Sequence, residues 1–109
     1  MQGIYLKLFV PEGLRHGGDL LYEWILEQAH SIGIPGGSAV RAVAGFGRHG
    51  RLHEQHFFEL AGDVPIVLEF FADEEAIAKL LMLLESENIS VFYVKFVAEG
   101  GLTQPSASS

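Results

Sequence analysis

From Ile4 to Val10 the chain alternates, with Ile4, Leu6, Leu8 and Val10 on one side and Tyr5, Lys7 and Phe9 on the other. This period of two predicts a strand. Pro11-Glu12-Gly13 ends it, and the stretch from Leu14 to Gly18, with His16 and two glycines, predicts a loop. The period then changes: Leu21, Ile25, Ala29 and Ile32 recur at helical spacing, with Trp24 on the same broad face as Leu20 and Leu21. Asp19 is placed to cap the start of this helix and Gly33 to supply its left-handed end. After Ile34-Pro35-Gly36-Gly37, alternation resumes from about Ser38 to Phe46, setting Val40, Ala42, Ala44 and Phe46 against Arg41, Val43 and Gly45.

Extended structure is expected again from His56 to Leu60, then a turn at Ala61-Gly62-Asp63. Val64 to Phe71 reads as a strand with Ile66, Leu68 and Phe70 facing one way and Val67, Glu69 and Phe71 the other; Pro65 is tolerated at its start. Asp73 caps a second helix, Glu74 and Glu75 suit its positive end, and Ile77, Leu80, Leu81 and Leu84 form its apolar stripe, with Asn88 as the stop. The last strand, Val91 to Val97, sets Phe92, Val94 and Phe96 against Val91, Tyr93, Lys95 and Val97.

The order β-α-β-β-α-β predicts an α+β, ferredoxin-like domain: a four-stranded antiparallel sheet with both helices on one face. The expected domain covers residues 1–98, and residues 99–109, small and polar in composition, are expected to form a flexible C-terminal tail. Leu6, Leu8, Leu68 and Val94 are expected to meet Leu21, Ile25 and Leu81 beneath the helices. The opposite face is expected to carry Tyr5, Phe9, Val43, Val67, Phe71, Val91, Tyr93 and Val97, with Lys7, Arg41, Glu69 and Lys95 among them. So apolar an outer face implies an interface, most simply a closed ring of identical copies with sheets facing the axis and Glu69 paired with one of these cations.

At 109 residues, 49% of them apolar and 19% charged, the chain has the composition of one folded domain. The absence of cysteine excludes disulfides, thiolate chemistry and Cys-ligated zinc, and suits a cytoplasmic location. The first apolar run, about seven residues, falls short of the roughly 20 that a membrane span needs. A formal net charge of -7 argues against non-specific binding to nucleic acid or anionic membrane.

Against that acidity, two of the seven Lys+Arg and three of the five His fall between Arg48 and His56. A cationic stretch on an acidic protein marks where an anionic ligand or partner is expected. Arg48 and Arg51 suit a phosphate, or are solvated loop arginines. His49, His53 and His56 offer a metal-ligand set, although exposed histidines are the simpler reading. Phe46 is placed to stack on a base, but an aromatic at a strand end packs in the core more often. Glu12 and His16 lie where they could reach the same cleft, Trp24 reads as packing, and Glu69 reads as half of a structural ion pair. No Ser-His-Asp set, carboxylate pair, Walker loop or dinucleotide fingerprint is present, so no enzyme activity is expected.

The run GIPGGSAVRAVAGFGRHGRLH, followed by DVPIVLEF and a helix opening DEEAIAKLL, resembles the family called domain of unknown function 190, which is similar to the PII signal-transduction proteins. The resemblance covers roughly Ile4 to Val97. It implies a homotrimer of ferredoxin-like subunits with ligand clefts between neighbours, occupied in PII proteins by nucleotides, and a mobile T-loop that signals to a target protein. Carried onto this chain, it makes Gly45, Phe46, Gly47, Arg48, His49, Gly50, Arg51 and His53 the expected ligand-binding residues and an adenine nucleotide the expected effector. No cofactor is required. The glycine- and lysine-rich loop that follows the second helix in PII proteins is replaced here by Glu87-Asn88-Ile89-Ser90, and no T-loop tyrosine is present. The alternative is a CutA-like metal-responsive trimer using the loop histidines.

Overall fold

The structure, a computed structural model, describes residues 1–44 and 65–105. Its elements are β1 (Gln2–Pro11), β2 (Arg15–His16), β3 (Asp19–Leu20), α1 (Leu21–Ile32), β4 (Gly37–Arg41), β5 (Pro65–Ala72), α2 (Glu74–Ser86) and β6 (Phe92–Glu99). Strands β4, β5, β1 and β6 lie side by side in that order and pair antiparallel throughout. Both helices pack on one face, so the expected ferredoxin-like α+β plan is the observed one.

The core is the face between sheet and helices. Ile4, Leu6, Leu8 and Val10 of β1 and Ile66, Leu68, Phe70 and Ala72 of β5 are buried against Leu21, Ile25 and Ala29 of α1 and Ile77, Leu80 and Leu84 of α2. Each large side chain so buried contributes about 1.5–3 kcal/mol. The even positions of β1 and β5 point inward, as the alternation requires, and Leu81 lies at the margin of the cluster. Gly33 ends α1 at φ 104°, and its N–H and that of Ile34 close the helix on His30 and Ala29. Asp73 caps α2, its Oδ1 accepting from the Ala76 N–H at 2.8 Å, and Asn88 stands at φ 62° beyond the helix end.

Three expectations are corrected. The stretch after β1 is a two-stranded hairpin, β2 pairing with β3, rather than a loop. Gly17 and Gly18 turn it at φ 58° and 91°, the left-handed pair that a two-residue hairpin needs. Asp19 is therefore taken up in β3, and α1 follows Leu20 without a side-chain cap. Secondly, β6 presents the opposite faces from those expected. Phe92, Val94 and Phe96 stand opposite Phe9, Lys7 and Tyr5 on the helix-free face, whereas Tyr93, Lys95 and Val97 stand opposite Leu8, Leu6 and Ile4 on the helix side. Val91 packs against the core. Thirdly, β4 is also turned over: Val40 and Ser38 share the helix-free face with Val67 and Glu69, and Arg41 lies on the other side, opposite Ile66. Val43 lies beyond β4 and is 97% exposed.

β6 also takes in Glu99, assigned to the tail by composition, and the Gly100 N–H bonds the Met1 carbonyl at 2.9 Å. No helix among the described residues is long and apolar enough to cross a membrane.

Candidate functional site

The helix-free face remains apolar after these corrections. Tyr5 stacks on Phe96 with ring centroids 5.2 Å apart and planes 20° from parallel, and Phe9 meets Phe92 at 5.7 Å. Both pairs are cross-strand neighbours, the contact through which two strands stabilise one another. Val40, Val94 and Phe96 are 50%, 41% and 49% exposed. In the middle of this surface Lys7 and Glu69, directly opposite across β1 and β5, form an ion pair at 3.6 Å. The pairing expected of Glu69 is thus made within the chain.

Beside that ion pair lies a hollow of about 290 Å³, lined by Tyr5, Glu69, Phe70 and Phe71 and by Gly36, Gly37 and Ser38 where β4 begins. At Gly37 the backbone comes close: a Cβ there would stand 2.5 Å from the Phe70 ring. Glu69 acts on Tyr5 as well as Lys7. A hydrogen bond to its carboxylate, then partial burial, then its negative charge hold the Tyr5 hydroxyl above its ordinary pKa of 10.0, so the neutral phenol is the favoured form. The hollow thus brings the Glu69 carboxylate, the Tyr5 phenol and Ser38 together with aromatic surface.

At the other end of β4, Arg41 donates from Nη2 to the Glu12 carboxylate in an ion pair between residues 29 apart in sequence. The bond to Glu12, and then the charge of Glu12, raise the Arg41 pKa. The next residue, Ala42, donates its N–H to the Pro65 carbonyl at 3.0 Å. These contacts hold Arg41 and Ala42, at the end of β4, against the turn after β1 and the start of β5.

The expected ligand residues Gly45, Phe46, Gly47, Arg48, His49, Gly50, Arg51 and His53, together with His56, lie outside the described residues. Glu12 and His16 do not converge. Glu12 turns to Arg41, whereas the His16 ring packs on Trp24 with centroids 4.4 Å apart and its Nε2 stands 3.0 Å from a Glu87 carboxylate oxygen. Trp24 packs, as expected, and its neighbour is that imidazole. Among the described residues no group of three or more His, Cys, Asp or Glu is placed to hold a metal ion.

Two features escape the pattern of the sequence. The hollow's lining comes from three strands, and the signal available was Gly36-Gly37 immediately before a strand, which marks close backbone approach. The Glu12–Arg41 pair had no local signal, because its register depends on how β4 lies against β5 and β1.

The uncharacterized ACR family model, domain of unknown function 190, matches residues 3–90. A UPF0166 protein of Aquifex aeolicus is 29% identical over 97 residues, covering 82% of this chain and 92% of the relative. Among solved structures, CPII from Thiomonas intermedia K12, described as bound to ADP, AMP and acetate, superposes with a TM-score of 0.63 at 17% identity, covering 93% of this chain and 90% of that one. A putative PII-like signaling protein from Thermus thermophilus gives 0.56 at 21% identity, with 89% and 88% covered. At these identities the likeness to solved structures is one of fold, and the fold is PII-like. With a family model matched along most of its length, this chain belongs to the domain of unknown function 190 family.

Proposed function

We propose that this chain is a PII-like regulatory protein, not an enzyme, that binds an adenine nucleotide in clefts between the subunits of a cytoplasmic homotrimer. The segment after β4 then signals occupancy to a target protein. The observation that carries this reading is the helix-free sheet face, where Tyr5, Phe9, Val40, Val67, Phe92, Val94 and Phe96 form one apolar surface. Burying such a face requires other copies or a partner. CPII, of the same fold, is described as bound to ADP, AMP and acetate. On this chain Gly45, Phe46, Gly47, Arg48, His49, Gly50, Arg51 and His53 would bind the nucleotide, the two arginines and the glycine N–H groups suiting its phosphates. The PII-like domain would extend to Gly100, since β6 runs to Glu99 and the Gly100 N–H bonds the Met1 carbonyl, with the tail beyond it.

Isothermal titration with AMP, ADP, ATP and cyclic AMP tests the reading. Saturable binding of at least one is expected, at one site per chain, and weakened at least tenfold by Arg48→Ala, which removes a charged phosphate ligand. Silence toward all four nucleotides overturns it.

A further inference from the structure

We infer that Glu12 and Arg41 form a strap across the neck between the end of β4 and the start of β5, with Glu12, a residue of the turn that follows β1, acting as a positioning residue for Arg41 and Ala42. The strap is independent of the ligand and the partner proposed above.

The sheet is short of hydrogen-bond donors where the strap lies. Pro11 and Pro65 are directly opposite one another at the end of the β1–β5 ladder, and neither carries an N–H. On the β4 side, the Ala42 N–H to the Pro65 carbonyl is the last backbone bond among the described residues, and Val43 beyond it is almost wholly exposed. Glu12 is held in place from its own side by the turn that the Leu14 N–H closes on the Pro11 carbonyl at 3.2 Å. The ion pair therefore reaches over Pro65, from the exit of β1 to the last residue of β4, and ties together three strands at the last described pairs of their ladders.

Its setting differs from that of an ordinary surface pair. Glu75 and Lys79, one turn apart on α2, are 81% and 61% exposed and 3.6 Å apart, and they constrain nothing that the helix does not already hold. In the strap Arg41 is 62% exposed, much like Lys79, but the Glu12 side chain is only 25% exposed and is hydrogen-bonded as well as charge-paired, and the two residues belong to different elements. Without Arg41 a largely covered carboxylate would be left uncompensated. The bond from Arg41 Nη2 to the Glu12 carboxylate is charge-assisted, so it holds the end of β4 close to the turn after β1.

Amide hydrogen exchange followed by NMR tests this on the full chain. In Glu12→Gln and in Arg41→Gln the Ala42 amide is expected to exchange about fivefold faster, the factor that corresponds to a well-placed ion pair at the surface. Leu6 and Leu68 amides keep their wild-type rates. The double variant is expected to be no worse than either single one, because both remove the same contact. Raising the salt concentration to about 1 M, where charges are screened beyond about 3 Å, should reproduce the loss in the wild type but not in the double variant. Unchanged Ala42 exchange in both single variants overturns the inference. So does acceleration of Leu6 and Leu68 by the same factor, which would make the pair a contributor to global stability rather than to the neck.

Discussion

Gly36 and Gly37 are adjacent, chemically identical and expected to respond to the same substitution in opposite directions. A Cβ on Gly37 would lie 2.5 Å from Cε1 and 2.6 Å from Cδ1 of Phe70, where carbon atoms ordinarily approach to about 3.5–4.0 Å. Phe70 is 2% exposed and belongs to the core cluster, so its ring cannot swing aside without disturbing its neighbours. Overpacking of this kind costs about 1–3 kcal/mol. Replacing a glycine also removes freedom from the unfolded chain, which offsets about 0.4–1 kcal/mol. Gly37→Ala is thus expected to lose about 1–2 kcal/mol, or roughly 5–15 °C of midpoint for a domain of this size. Gly36→Ala meets no atom within 4 Å and its φ is outside the left-handed range, so only the unfolded-state effect remains and the midpoint should stay level or rise. Thermal unfolding by circular dichroism, at one fixed protein concentration, compares the two. Equal midpoints would refute the reasoning, because the packing of Phe70 across Gly37 would then not be as described.

Tyr5 should titrate above the ordinary tyrosine range. Since the neutral phenol is the favoured form, its contribution to stability is complete below pH 10.0 and is lost as the pH climbs past the raised value; absorbance titration at 295 nm of wild type, Tyr5→Phe and Glu69→Ala should show the latest-titrating tyrosine vanish in the first variant and move down in the second. Asp73→Ala removes the acceptor for the Ala76 N–H and is expected to cost about 1 kcal/mol, read as a fall of roughly 4–8 °C in the unfolding midpoint, with Asp73→Ser recovering most of it.

The parts of the fold that were legible in the sequence are those with contrast between faces. β1 and β5 alternate large aliphatic residues with Lys7 or Glu69 in the outward set, and the helices show single apolar stripes bounded by Gly33 and Asp73. β6 lacks that contrast. Phe92, Tyr93, Val94, Phe96 and Val97 are apolar on both sides, and the single charge, Lys95, suggested the wrong face for the helix-free surface. As an edge strand outside the cover of the helices, β6 is exposed on its helix side too: Tyr93 is 43% and Val97 69% exposed, and a lysine is at home there. A register error of one residue exchanges the faces of a whole strand, and the same happened with Val40 and Arg41 in β4. The hairpin does have a local signal, Gly17-Gly18 between Arg15-His16 and Asp19-Leu20, but its strands are only two residues long and show no alternation. The hollow and the Glu12–Arg41 strap are products of tertiary register, and no local pattern announces either.

The central claim is that the aromatic and aliphatic surface around the Lys7–Glu69 pair is buried by further copies of the chain. Size-exclusion chromatography with light scattering measures this directly at micromolar concentration. The account predicts a mass three times the 11.9 kDa of one chain. A stable species with the mass of a single chain would contradict it.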